Sequence, residues 1–249
     1  MAVHQERHES ILVVRIEREA KRNAIDRETA AGIDAALNLL EDDDSLRVGV
    51  LTGTKSVFSA GTDLRDGAGP GTERGGEYGV IRRRRTKPLI AAVEGPAYGG
   101  GFEIALACDL VVASRTARFA LPESRRGVVA SSGALFRAIR CLPLQVAKEL
   151  LIAGTVLDAV RAHELGLVNR VTARGGALDE AVTLAGEICA SSPVAVAATL
   201  EAIEGQLEAA DALGWRLSAA AVERVISSED LAEGIAAFLE RREPQWTGR

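Results

Sequence analysis

The chain has 249 residues, 47% of them hydrophobic, enough to bury a sizeable core as one large domain or one domain with an appendage. Charged residues make up 26%, aromatic residues 4%, and the formal net charge is -5. This balance argues against a general nucleic-acid surface, and the scarcity of aromatic rings against stacking platforms for single strands.

Ser10–Ile16 (SILVVRI) is β-branched and apolar and reads as a strand. Asp26 can cap a helix that carries apolar residues at helical spacing over Thr29–Leu40. Arg47–Thr52 is a second strand, closed by Gly53, and Pro88–Val93 a third, ended by Glu94-Gly95-Pro96. Phe102–Cys108 reads as a buried helix, Leu110–Ala113 and Ala117–Ala120 as short strands, and Ser132–Arg140, Leu144–Ala153 and Ala159–Leu165 as helices. After about residue 176 only helices are expected: Leu178–Ala190, Pro193–Gly205, Ala209–Ile226 and Glu229–Arg241, the last with Ser228 as N-cap. Strands and helices alternate through the first two-thirds, which favours an α/β arrangement. The loop Asp66–Gly79 is rich in glycine and is expected to be mobile or ordered by a ligand.

No apolar run reaches bilayer-spanning length, and the N-terminal MAVHQERHES lacks the apolar stretch of a signal peptide. Cys108, Cys141 and Cys189 are widely spaced and form no C-x-x-C pair, so neither a disulfide framework nor a zinc site is expected, and the natural setting is a reducing cytoplasm. His4 and His8 have i, i+4 spacing but sit in a polar terminus, read as a frayed end, so no metal is expected there.

Two glycine-containing turns carry the chemistry. FSAGTDL (Phe58–Leu64) follows the second strand, and GPAYGGGFE (Gly95–Glu103) follows the third and runs into an apolar helix. Glycine lets backbone approach a ligand closely with its N–H groups outward, and the first amides of a helix lack internal partners. One donor from each turn, aimed at one point, would form an oxyanion hole. Each turn alone is equally a tight turn with close helix–sheet packing. Glu103 in the first turn of the helix is costly to bury unless paired or functional, or else complements the helix dipole. Glu123 follows an apolar approach ending in Pro122, and is otherwise an ordinary surface acid. Two carboxylates in one pocket can have their pKa values pushed apart, one serving as base and the other as acid.

FSAGTDL, GPAYGGGFEIALACDLVVAS and ARFALPESRRGVV together resemble the crotonase (enoyl-CoA hydratase/isomerase) superfamily, as do EREAKRNAI near the start, AHELGLVNRV, and EGIAAFLERREPQW near the end. The resemblance covers nearly the whole chain in order. It implies a spiral of β-β-α turns over residues 1–190 and a helical C-terminal region, 191–249, used to form trimers that often pair into hexamers. It also implies that the amides of Thr62 and Gly100 hold a thioester oxygen, that Glu103 activates a water to attack C3 of a 2-enoyl-CoA, and that Glu123 delivers a proton to C2. No metal or redox cofactor is implied, because coenzyme A is part of the acyl-CoA substrate. Ala60, Asp63, Leu64 and Tyr98 beside the two turns, with Arg22, Arg65, Phe238 and Arg241, are implied as substrate or coenzyme A contacts, Phe238 and Arg241 from an adjacent subunit. Tyr78 and Ile81 line the acyl pocket or belong to the core. The basic run Arg82–Arg85 with Lys87 is the solvated face of a helix or an attraction for coenzyme A phosphates.

The sequence departs from the hydratase pattern after the second glutamate: Gly127–Gly133 reads GVVASSG, with Ala130 in place of a proline and Ser131 and Ser132 in place of smaller residues. Carnitinyl-CoA dehydratases are also similar to this chain, but they usually carry an aspartate near Ser131. Three readings follow: hydration of a 2-enoyl-CoA, dehydration of a polar 3-hydroxyacyl-CoA such as a carnitinyl thioester, and, from a different class, non-catalytic acyl-CoA or RNA binding.

Overall fold

The computed structural model describes residues 2–63 and 69–249, so Leu64, Arg65 and the first residues of the glycine-rich loop lie outside the described residues. In chain order the strands and helices begin with β1 (Val3–His8), β2 (Ile11–Ile16), α1 (Arg27–Asp42) and β3 (Val48–Thr52). A two-residue hairpin, β4 (Gly71–Thr72) and β5 (Gly76–Glu77), precedes β6 (Leu89–Val93), β7 (Pro96–Tyr98) and α2 (Gly100–Leu106). β8 (Leu110–Ser114) and β9 (Arg118–Ala120) lead through a 3-10 turn at Pro122–Arg126 to α3 (Ala134–Cys141) and α4 (Leu144–Ala153). β10 (Val156–Asp158), α5 (Ala159–Glu164), β11 (Arg170–Thr172), α6 (Ala177–Cys189), α7 (Pro193–Ile226) and α8 (Glu229–Glu240) complete the chain.

The main sheet has the order β1-β2-β3-β6-β8-β11, parallel throughout except for the antiparallel β1 edge. A second sheet, β10-β9-β7, runs beside it. β6, β7 and α2 make one turn of a spiral, and β8, β9 and α3 the next; β6 pairs with β8 in one sheet while β7 pairs with β9 in the other. Isolated bridges, Ser59 to Ala97 and Ile25 to Thr62, continue the second sheet's pairing into the earlier turns. This is the crotonase spiral. Side-chain alternation explains the packing. Leu12, Val14, Leu51, Leu89, Ala91 and Val93 face the main core with α1 and α2, while Ile11, Val13, Val48, Val50, Ile90 and Ala92 pack under α6. Both faces are covered, so β3 and β6 read as continuous apolar runs.

Several expectations change. The N-terminus is an edge strand, Val3–His8, joined by a tight turn with Glu9 at φ 53; backbone pairing with β2 holds it, although only Val3 is buried. β11 continues the main sheet within the AHELGLVNRV segment and beyond it. Pro193–Gly205 and Ala209–Ile226 are one continuous helix, because a single glycine costs only about 1 kcal/mol in a helix interior and α7 contains no proline after its first turn. Residues 82–85 form turn and extended backbone rather than a helix, and each arginine meets an acid: Arg82 with Glu77, Arg83 with Asp34, Arg84 with Glu208 and Arg85 with Asp109. The run is neutralised by the protein's own carboxylates.

Asn23 backs the first glycine turn. It is fully buried with a left-handed backbone, φ 52, a conformation asparagine tolerates. Its side-chain amide donates to the carbonyls of Val57 (2.9 Å) and Phe58 (3.1 Å), and its oxygen accepts from the Arg18 amide at 2.8 Å. Asn23→Ala would leave these buried groups unpaired, at about 2–4 kcal/mol in all. The melting temperature should fall by on the order of 5–10 °C; a scan showing an unchanged melting point would mean the turn is held by something else.

Candidate active site

Residues 58–63 lie along residues 22–25. Ala60 N–H donates to Arg22 O (3.0 Å), Ile25 N–H to Gly61 O (2.8 Å) and Asp63 N–H to Ile25 O (2.9 Å). Ser59 Oγ donates to Asn23 O at 2.8 Å and accepts from the Gly61 amide at 3.1 Å. Arg18 ties the ends together by reaching Asp26 (2.6 Å) and Asp63 (3.3 Å). These bonds use the amides on either side of Thr62 and leave the Thr62 amide without a backbone acceptor among the described residues.

The second turn begins α2. Gly99, at φ 54, anchors its amide on Ala120 O (2.9 Å) and accepts from the Phe102 and Glu103 amides with its carbonyl. The Gly100 amide, first in the helix, has no intrahelical acceptor and no backbone acceptor among the described residues. The two turns touch through their glycines. A Cβ on Gly61 would stand 2.7 Å from Gly100 N, and one on Gly101 2.1 Å from Ser59 O. The Gly101 amide likewise has no backbone acceptor among the described residues. The first turn thus presents the Thr62 amide and the second the Gly100 and Gly101 amides, donors of the kind an oxyanion hole uses.

Glu103 projects from the first turn of α2 and is only 3% exposed. Its Oε1 accepts from the Ala134 amide at 3.2 Å, and the Ser132 amide lies close enough to favour the ionised form. Burial pushes its pKa up to about 8, and the negative charge of Glu123 adds to the rise against the opposing amides and Arg137. Glu123 sits on the 3-10 turn that Pro122 starts. Its Oε1 would be 3.0 Å from a Cβ on Gly99, so the carboxyl lies over the second glycine turn. Its Oε2 is buried without a hydrogen-bond partner. Burial raises this group to about 7, offset partly by its own backbone amide and by Arg126. Both carboxyls are thus raised toward neutrality, chiefly by burial.

Tyr78 completes the group, and sequence alone left it between acyl pocket and core. Its segment is stapled to α1: the buried Arg83 guanidinium reaches the Asp34 carboxylate and Asn38 Oδ1 (2.8 Å), and Thr72 Oγ1 donates to Asp34 at 2.8 Å. Arg137 on α3 donates to Ile81 O at 2.8 Å, tying the same segment to the following turn of the spiral. The Tyr78 hydroxyl lies 2.8 Å from Thr62 Oγ1, with the Ser132 side chain nearby.

Ala60, Thr62, Tyr98, Gly100, Glu103 and Glu123 therefore gather around the two turns, with Asp63 held by Arg18. Leu64 and Arg65 lie outside the described residues. Arg22 is exposed, at φ 53, and contributes its carbonyl to the first turn. Phe238 is 46% exposed on α8, with the Arg126 guanidinium 4.7 Å over its ring, and Arg241 is the exposed left-handed cap of the same helix. Gly234 packs α8 on the Arg126 carbonyl, behind the turn that carries Glu123. No group of three or more His, Cys, Asp or Glu able to hold a metal occurs among the described residues.

Residues 6–249 match the family model of enoyl-CoA hydratase/isomerase. A carnitinyl-CoA dehydratase of Proteus mirabilis is 38% identical over 100% of this chain and 99% of its own. The crystal structure of a carnitinyl-CoA hydratase from Mycobacterium avium superimposes with a TM-score of 0.95 at 34% identity, and that of an enoyl-CoA hydratase from Mycobacterium tuberculosis with 0.80 at 41% identity, each covering 100% of this chain and 99% of the other. With the spiral, the paired glycine turns and a match along nearly its whole length, this chain belongs to the enoyl-CoA hydratase/isomerase family, the crotonase superfamily.

Proposed function

We propose that the protein is an enoyl-CoA hydratase that adds water reversibly across the 2,3-double bond of a 2-enoyl-CoA. The observation that carries this reading is the pair of buried carboxyls, Glu103 and Glu123, beside two unused amides. The thioester oxygen accepts from the Thr62 and Gly100 amides. An ionised Glu103 takes a proton from water as its oxygen bonds to C3. The π electrons move toward the thioester, and the enolate is held by the two amides. A protonated Glu123 then gives its proton to C2. The pair ends with its proton exchanged between partners, and dehydration is the same path reversed. The path requires Glu103 ionised and Glu123 protonated once substrate is bound, and the raised values keep both protonation states accessible near neutral pH. Coenzyme A is part of the substrate, and the chemistry calls for no cofactor.

Dehydration of a carnitinyl thioester is the second reading, favoured by the 38% identity to carnitinyl-CoA dehydratases along the whole chain. Two features weigh against it. Residues 130–133, Ala-Ser-Ser-Gly, offer no acid to a cationic acyl group. The buried Arg137 guanidinium lies against Gly133, beside Glu103, where it repels a trimethylammonium. Non-catalytic acyl-CoA or RNA binding gives no account of two carboxyls held at raised pKa.

The assembly proposed is a trimer or a pair of trimers. Of the 34 residues of α7 only Gly214 and Ser218 are buried, and Val194, Ile203, Leu213, Leu217 and Ile226 stand exposed, with Ile235, Phe238 and Leu239 on α8. That much apolar surface on neighbouring helices fits contact with further copies. Light scattering should give three or six chains, and Leu217→Glu should lower that number; a monomeric wild type would exclude the assembly.

Purified protein should consume a short 2-enoyl-CoA, followed by loss of the conjugated thioester absorbance. Glu103→Gln and Glu123→Gln should each lower kcat by at least about a hundredfold. Exchange of the C2 proton of butyryl-CoA with deuterated solvent divides the roles: it should survive in Glu103→Gln and vanish in Glu123→Gln. The opposite pattern would reverse the assignment. A marked preference for carnitinyl-CoA in a substrate panel would replace the leading reading with the second.

The same carboxyls set a pH dependence of stability. In the unfolded chain they titrate near 4.5, and folded at about 8 and 7. Between these values the folded state binds more protons than the unfolded state, so stability is complete below about pH 4.5 and declines as pH rises toward 8. One such group contributes a slope of about 1.4 kcal/mol per pH unit. Glu103→Gln removes the larger share, because Glu103 acts over the wider pH window. Its melting temperature relative to wild type should therefore climb between pH 5 and pH 8, and a gap that stays level or narrows would show that Glu103 ionises freely in the fold.

A further inference from the structure

Tyr78 has the left-handed backbone conformation, φ 57, that a bulky side chain seldom adopts. Such strain costs on the order of 1 kcal/mol or more and persists where the surroundings over-determine it. Here the surroundings are specific: the preceding hairpin, the Arg83–Asp34 pair on α1 and the Arg137 bond to Ile81 hold the segment so that the ring points inward and is only 3% exposed. The ring lies directly on the oxyanion turn. A Cβ on Gly100 would stand 2.4 Å from the phenol oxygen and 2.6 Å from Cζ. The hydroxyl is 2.8 Å from Thr62 Oγ1, with the Ser132 side chain nearby. It therefore contacts both residues whose amides form the oxyanion hole.

Resting on the acyl-thioester reading of this pocket, we propose that Tyr78 is a catalytic residue whose phenol hydroxyl turns from Thr62 to donate to the thioester oxygen as a third hydrogen bond. Burial, with the nearby Glu103 carboxylate adding to it, holds the phenol neutral far above its ordinary titration range. It is thus a donor at every working pH, and a neutral one, so it adds no charge to the ground state. Thr62 Oγ1 acts as a resting partner: it satisfies the buried hydroxyl in the empty site and releases it at the cost of one exchanged hydrogen bond. A donor that gains most when the oxygen becomes an enolate lowers the barrier more than it tightens binding.

The test uses the full-length protein in its native assembly. Tyr78→Phe keeps the ring and removes only the hydroxyl. With a short 2-enoyl-CoA, kcat should drop on the order of tenfold to a hundredfold while KM changes less than about threefold. The carbonyl of bound [1-13C]butyryl-CoA reports the same bond without turnover: its downfield NMR shift should be smaller in Tyr78→Phe than in wild type. 3-Fluorotyrosine at position 78, a stronger donor of nearly the same shape, should enlarge that shift, which keeps the question answerable if the phenylalanine variant folds poorly. Equal carbonyl shifts in all three proteins would overturn the role of Tyr78 and leave the hydratase reading standing. Absence of enoyl-CoA turnover in wild type, with the shift changes present, would overturn the hydratase reading and leave Tyr78 as a thioester donor. A wild type that binds no acyl-CoA would overturn both.

Discussion

A Cβ on Gly61 would stand 2.7 Å from the Gly100 nitrogen, 3.0 Å from the Tyr98 carbonyl and 3.3 Å from Gly100 Cα, so the two turns meet at a separation that only glycine allows. Two backbone amides can be aimed at one oxygen only when their chains come this near. The spiral makes the approach possible, because each turn of chain lies against the one before, with bridges from Ile25 to Thr62 and from Ser59 to Ala97. The approach leaves donors unused, and an unused buried amide is costly. The surrounding bonds hold the two turns in place: Asn23, Ser59 and Arg18 serve the first turn, and the Ala120 carbonyl serves the second. Among the described residues the Thr62, Gly100 and Gly101 amides have no backbone acceptor.

The carboxyls follow from the same geometry. Glu103 is placed by the helix that starts at the second turn, and Glu123 by the 3-10 turn after β9, which is β7's partner in the second sheet. Their environment pulls in two directions. A helix N-terminus favours the ionised form by about 0.3–1 kcal/mol in exposed settings, less than one pKa unit. Burial and the like charge act the other way and prevail for Glu103, which reaches about 8 despite two amide donors and Arg137. The fold thus carries a stability penalty at neutral pH from these two carboxyls, as is expected where acid–base groups stand inside an apolar wall.

Much of this arrangement can be read from the sequence because it depends on local signals. The Asp26 cap, whose carboxylate accepts from the Thr29 amide at 2.8 Å, and the Ser228 cap fall where capping residues precede apolar periodicity. The apolar runs of β3 and β6 betray a sheet covered on both faces, and the glycine clusters betray the close turns. What could not be read depends on distant partners. Nothing in Arg82–Arg85 announces Glu77, Asp34, Glu208 and Asp109, which the fold brings to each in turn. β1 is held by backbone pairing, which leaves no apolar pattern. A left-handed tyrosine cannot be distinguished from an ordinary core aromatic until its φ and its neighbours are known. Gly205 carries the sequence signature of a break, yet α7 runs through it, since one glycine is a small loss against 34 residues of continuous helix.

The reacting carbonyl and the acyl group are served by different kinds of structure. On the proposed reading, the oxyanion amides come from successive turns of the spiral, where its regular pairing fixes them, and the acyl side is bounded by Tyr78, in the irregular segment between β3 and β6, and by residues 127–133, before α3. The first of these segments is joined to α3 by Arg137 and Ile81 and to α1 by Arg83 and Asp34. Substitutions there leave the sheet register untouched, so such segments can change while the carbonyl chemistry stays the same. Overall identity is accordingly a poor guide to substrate: 38% to a carnitinyl-CoA dehydratase and 41% to an enoyl-CoA hydratase differ too little to divide them. A division would turn on a few groups: a guanidinium at Gly133, serines at 131 and 132, and a phenol over Gly100, which offer hydrogen bonds to oxygen and, among themselves, no counter-charge to a cation.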